Sequence, residues 1–215
     1  MYAPATPVQP APALAPVGVV STAPATIVTP SQTTIKVRSE QLNVLENHRA
    51  SVTGTLLEDG QPAGAGRAVT LQTLGAHGWR TVSLAHTGTR GRFHFAYVPR
   101  HLGSRLLRLR FTGSAYARPA RRRLGRLNVY RLAGASWYGG GGGLACGGEL
   151  TSSTLGVANK TLPCGTLVTL RYDGNTVRVP VVDRGPYVAG REFDLTEATK
   201  RALGFGDTGD VWSTD

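Results

Sequence analysis

The sequence predicts an all-β protein carrying a short helix. Stretches of period-two alternation recur from Thr33 to about Arg131, and again where Val177, Val179 and Val181 alternate with Thr176, Arg178 and Pro180. That period marks half-buried strands. Glycine and proline turn signals separate the stretches. Helical spacing appears at Leu195, Ala198, Thr199 and Ala202, between a candidate N-cap, Thr196, and a candidate stop, Gly204.

Taken in order, Met1 to about Ser31 is rich in Ala, Pro, Val and Thr and almost uncharged, with no helical period. It reads as an extended linker, residues 1–32. A secretory leader would show a basic start and a compact apolar core, and neither is visible. No apolar run is long enough for a transmembrane helix. The remaining length suits two small domains.

Seven strand candidates follow: Thr33–Val37, Ala50–Leu57, Ala68–Thr73, Arg80–Leu84, Arg92–Tyr97, Leu106–Phe111 and Arg126–Tyr130. Phe93, Phe95 and Tyr97 share one face of their segment, and Leu107, Leu109 and Phe111 share one face of theirs. The turns between fall at Glu58-Asp59-Gly60, Gly64–Gly66, Thr89-Arg90-Gly91 and Gly113-Ser114. About seven short alternating strands in roughly 100 residues fit an immunoglobulin-like β-sandwich over residues 33–132. It lacks a Cys–Trp–Cys signature, and Trp79 is read as packing in preference to a sugar platform.

The formal charge is +11, and no acidic residue lies between Asp59 and Glu149. Arginines recur throughout that interval and are densest from Arg118 to Arg126. The field favours an anionic partner such as a charged cell-wall polymer; drift toward arginine or a solvated hairpin are the bland alternatives. Nucleic acid is not expected, because no groove-entering helix and no interleaved aromatics accompany the basic cluster.

Leu132-Ala133-Gly134 leads into a second domain, residues 133–215. Gly139–Gly143 lacks the Gly-Lys-Ser/Thr end of a phosphate loop and reads as a flexible loop. Cys146 and Cys164, the two cysteines of the chain, are expected to form a disulfide, which implies an oxidising compartment outside the cytoplasm. Neither belongs to a Cys-x-x-Cys or Cys/His cluster, so no zinc site and no cofactor are expected. The stretch Pro180–Leu195 then places two carboxylates at the ends of regular elements: Asp183 closes an apolar strand before the turn at Arg184-Gly185-Pro186, and Asp194 precedes the helix. Acids fixed in this way suit acid/base work on a sugar or acyl bond.

These blocks carry a resemblance. ASWYG (Ala135–Gly139), TLPCGT (Thr161–Thr166), VVDRGPYVAGREFDLT (Val181–Thr196) and ATKRALGF (Ala198–Phe205) resemble, in order and spacing, the rare lipoprotein A family. The resemblance covers roughly the last third of the chain and implies a six-stranded double-psi β-barrel, similar to that of expansins and some endoglucanases. It further implies an exported protein of the cell wall or periplasm. Its activity would be that of a lytic transglycosylase, which cuts peptidoglycan glycan strands to 1,6-anhydromuramic ends. A non-hydrolytic, expansin-like glycan binder is the alternative, and an exported domain without glycan specificity a third reading.

By this resemblance Glu149, Asp183 and Asp194 line one groove. Asp183 is the expected acid and then base, since desolvation at a strand end favours its protonated form. Asp194 is expected at the helix start, held ionised by the helix dipole. Arg184 is expected to hold a carboxylate or contact an acidic wall group. Tyr138 and Tyr187 would offer a platform or hydroxyl to sugar, or simply pack. Asn159 stands where the family commonly has histidine; it can hydrogen-bond a sugar but cannot shuttle a proton.

Overall fold

The computed structural model describes residues 29–215; most of the Ala/Pro-rich segment lies outside them. Ser31 already joins the folded body, exchanging backbone hydrogen bonds with Tyr116 and Arg118.

The N-terminal half is built from β1 (Thr33–Gln41), β2 (Asn43–Leu45), β3 (Ala50–Glu58), β4 (Gln61–Pro62), β5 (Ala68–Gly75), β6 (Gly78–His86), β7 (Arg92–Tyr97), β8 (Gly103–Phe111) and the first part of β9 (Ala120–Tyr138). β3 pairs with β1, β4 and β7 in one sheet, and β6, β5, β8, β9 and β2 make a second. The alternation in the sequence sets which face is inward. Val52, Leu56, Phe93 and Phe95 from the first sheet meet Leu71, Leu107, Leu109 and Phe111 from the second in one apolar core. β2 is too short to be visible as a pattern.

The C-terminal half adds β10 (Gly142–Gly143), β11 (Glu149–Leu150), β12 (Val157–Ala158), β13 (Leu167–Tyr172), β14 (Asn175–Asp183), β15 (Phe193–Thr196), α1 (Glu197–Leu203) and β16 (Thr208–Ser213). Six strands close on themselves in the order β15, β12, β14, β13, β16 and β9, with β9 returning to β15. Closure leaves no unpaired edge on this barrel. A second apolar cluster fills it, with Val157, Leu170, Phe193, Leu195, Leu203 and Val211 fully buried.

The halves share a strand. β9 runs nineteen residues without interruption; it pairs with β8 up to Val129 and with β16 from Arg131 onward. Leu132-Ala133-Gly134, read from sequence as a handover, is therefore continuous strand. Its backbone hydrogen bonds pass from one set of partners to the next with no unpaired gap. At this junction Tyr130 packs on Trp212, their ring centroids 5.7 Å apart, and donates to Asn43 Oδ1 at 2.8 Å.

Glycines shape the side of the barrel that carries the 184–192 loop. A Cβ at Gly134 would collide with the Gly190 carbonyl, so glycine there lets the 184–192 loop lie against β9. The glycine run is not a free loop: Gly142 and Gly143 pair with Leu150 and Glu149 as a small hairpin. Gly140, Gly141 and Gly142 take positive φ values of 96°, 87° and 109°, which explains the glycine at these positions.

Candidate active site

Asp183 and Asp194 come together through β12, a two-residue strand. Ala158 is the register partner of Asp183 on β14 and of Asp194 on β15, and Asp194 is in turn the partner of Ser136 on β9. Ser136, Asp194, Ala158 and Asp183 thus form one row across four adjacent strands. The two aspartates stand two strand spacings apart, roughly 9–10 Å at Cα. Both are half-buried.

Each carboxylate is oriented differently. Asp183 Oδ1 accepts from Ala145 N at 2.9 Å and from its neighbour Arg184 N at 2.8 Å. Ala145 is held in place by the adjoining disulfide: Cys146 and Cys164 are bonded, with Cα atoms 5.5 Å apart. Cys146 N also donates to Val182 O at 3.1 Å. Asp194 Oδ1 accepts a short hydrogen bond from Ser136 Oγ. Asp194 lies within β15 and does not begin the helix. Thr196 is the N-cap, its side chain accepting from Thr199 N, and the acidic residue of the first helical turn is Glu197. The expectation that a helix dipole holds Asp194 is therefore corrected: a serine hydroxyl holds it.

Tyr138 sits two residues beyond Ser136 on the same strand face. Its hydroxyl is sealed from solvent, and its ionisation is pushed up first by burial, next by the charge of Asp183 and a hydrogen bond to it, then by Asp194. That hydrogen bond is loose, since no partner meets the hydroxyl at full hydrogen-bond geometry. Tyr138 is therefore an unspent donor near the two acids. Tyr187 is 81% exposed, beside Val188 on the loop after Asp183. A Cβ at Gly185 would touch both the Tyr187 ring and Ala158, so this ring flanks the aspartate row.

Three expected site residues behave otherwise. Asn159 is only 7% exposed, and its amide serves the protein itself. Nδ2 donates to Glu192 O at 3.1 Å, while Oδ1 accepts from Thr161 N at 3.0 Å and Leu162 N at 2.8 Å. It is a turn-holding residue, not a sugar contact. Arg184 pairs with no carboxylate; its guanidinium donates to Asn159 O and Leu162 O at 3.0 and 2.8 Å and reaches Cys164 Sγ at 3.1 Å. Glu149 is exposed on the β10–β11 hairpin, outside the row. Asn159→Ala is expected to destabilise the barrel by about 1–3 kcal/mol, because it removes the side-chain acceptor of two part-buried N–H groups and the donor to Glu192 O. Chemical denaturation would measure this, and a loss under about 0.5 kcal/mol would refute the assignment.

Ser136 was missed from sequence, although its place inside ASWYG, two residues before Tyr138, was a usable signal.

A closed six-stranded barrel with two strand-borne aspartates beside a half-buried tyrosine, its hydroxyl sealed from solvent, defines a carboxylate-site barrel domain. Residues 132–211 match the family described as "Lytic transglycolase". Among relatives, the Aquifex aeolicus protein named "Probable endolytic peptidoglycan transglycosylase RlpA" is 44% identical over 75 residues, covering 33% of this chain and 33% of its own. A protein of the same name from Synechocystis sp. is 37% identical over 107 residues, 43% of this chain and 33% of its own. The Pseudomonas aeruginosa "Endolytic peptidoglycan transglycosylase RlpA" is 38% identical over 87 residues, 38% of this chain and 26% of its own. The chain thus spans about a third or less of the length of these relatives. Among the described residues no helix is long and apolar enough to cross a membrane.

Proposed function

We propose that this chain is an exported cell-wall protein whose barrel cleaves peptidoglycan glycan strands as a lytic transglycosylase. The observation that carries the reading is the row Ser136–Asp194–Ala158–Asp183, with Tyr138 near its two acids, inside the region that matches that family. Asp183 acts as acid and then base. With Oδ1 occupied by two backbone N–H groups, Oδ2 is the oxygen left to deliver a proton. That proton passes to the glycosidic oxygen as the bond breaks. The 6-hydroxyl of the muramic acid attacks C1, and its proton returns to Asp183, leaving a 1,6-anhydro end and needing no activated water. Asp194, oriented by Ser136, offers negative charge to the oxocarbenium-like centre. Tyr187 provides an exposed ring for sugar packing, and Glu149 stays exposed on its hairpin, outside the row.

The N-terminal half is read as an immunoglobulin-like sandwich over residues 33–132, preceding a barrel over 133–215. The support is its two sheets, β1-β3-β7 against β6-β5-β8-β9, on one core. The disulfide supports an extracytoplasmic location.

A second reading, a non-hydrolytic glycan binder, draws on Asn159, whose buried amide brings no proton carrier to the site. Incubation of the full chain with peptide-free glycan strands, with mass analysis of products, separates the two. Anhydro-ended fragments are expected; retention on strands without any fragment would favour the binder.

A further inference from the structure

The outward face of the sandwich sheet carries a built cluster of arginines that the barrel chemistry does not use. Leu107, Leu109 and Phe111 of β8 point into the core, so Arg108 and Arg110 point out. In the β8–β9 ladder Arg110 is paired with Arg121 and Arg108 with Arg123. Like charges set directly opposite each other on a sheet are destabilising. No acidic residue occurs from Gly60 to Gly148, an interval containing fourteen arginines, and among the described residues none of the four arginines is in an ion pair.

The cluster is ordered by neutral partners. Arg108 Nε donates to Gln72 Oε1 at 2.8 Å, and its guanidinium lies over the Trp79 ring, 4.1 Å from the centroid. Gln72 is itself held by Thr81, to which Nε2 donates at 3.1 Å. Arg110 Nε is buried and has no hydrogen-bond partner. Arg108 loses its proton more readily than a free guanidinium, first through burial and then through the charges of Arg121, Arg110 and Arg123, so the four share one field. A merely solvated strand would leave these side chains splayed into water. Here the plane of Arg108 is fixed and its remaining N–H groups are free.

We propose that the Arg108–Arg110–Arg121–Arg123 face docks an anionic wall polymer with a phosphodiester backbone. Guanidinium forks match phosphate oxygens two at a time. Arginines at i and i+2 repeat along the strand at roughly 6.8 Å, which presents successive phosphates of a flexible chain with successive partners. The face is a sheet surface without walls, suited to a polymer lying across it and not to a small enclosed anion. No helix is present there to enter a nucleic-acid groove. The proposal rests on the wall location of the preceding reading but not on glycan cleavage. It makes the sandwich the part that selects where on the wall the barrel works.

The test is titration of the full chain with purified poly(glycerol phosphate) across a salt series, beside Arg121→Gln/Arg123→Gln and Arg121→Lys/Arg123→Lys variants. The glutamine variant should bind roughly thirtyfold more weakly at low salt, and its slope of log affinity on log salt should fall by about 1.4. Its melting temperature should not drop, because two like-charge cross-strand pairs are relieved. The lysine variant should keep most of the affinity. Unchanged affinity and slope in the glutamine variant would overturn the proposal. So would tighter binding of poly(U) RNA or phosphatidylglycerol vesicles than of the polymer at equal phosphate. Glycan cleavage is scored separately: arginine-dependent binding without cleavage would remove the transglycosylase reading and leave this one standing.

Discussion

Asp183→Asn is expected to lower formation of 1,6-anhydro product by about 10²–10⁴-fold while leaving the barrel folded and strand binding nearly intact. The substitution is conservative for structure. The side-chain carbonyl oxygen of asparagine can still accept from Ala145 N and Arg184 N, so the turn after β14 and the disulfide-tied loop keep their anchor. What is lost is the proton that the carboxyl delivers and recovers. Asp194→Asn is expected to impair cleavage less, since Ser136 Oγ can still donate to the amide oxygen and only the negative charge disappears. Product analysis on peptide-free strands, with melting temperature as the folding control, decides the matter. Undiminished anhydro product from a folded Asp183→Asn protein would end its assignment as the acid.

Removing the disulfide, as Cys146→Ala/Cys164→Ala, is expected to destabilise the barrel by about 3 kcal/mol through loop-closure entropy alone. The effect reaches the site as well. Ala145, whose N–H orients Asp183, is the residue before Cys146, and Arg184, which follows Asp183, contacts Cys164. Cleavage by the remaining folded protein should therefore fall too, even at temperatures where unfolding is negligible. Denaturant unfolding together with cleavage at low temperature measures both parts. A stability loss below about 1 kcal/mol would contradict the first expectation; full activity in the folded double variant would contradict the second. The same protein under reductant offers an independent check without mutation.

The aspartates were legible because each lies beside a pattern that local physics makes: Asp183 closes the Val177–Val181 alternation, and Asp194 precedes the capped helical run. The cores were legible for the same reason, as with Phe93 and Phe95 on one strand and Leu107 and Leu109 on another. The cap Thr196 and the stop Gly204, left-handed with φ 65°, could be placed from side-chain chemistry alone. The disulfide followed from cysteine count.

What the sequence could not say is whose neighbour each residue becomes. β12 is two residues long, too short to show any period, yet Ala158 brings Asp183 and Asp194 into one row. Two of the three donors to those acids come from Ser136, 58 positions away, and Ala145, 38 positions away. Asn159 and Arg184 looked available for ligand because their amide and guanidinium are polar. The folded chain surrounds them with backbone carbonyls and N–H groups that take up that polarity. The Leu132–Gly134 stretch looked like a link, since alternation fades there, but its ladder partner β16 lies near the far end of the chain. Local sequence thus determined periodicity, caps, turns and the candidate acids, which depend on residues a few positions apart. Pairing across the closed barrel determined the site's hydrogen bonds, because those contacts exist only once distant strands have met.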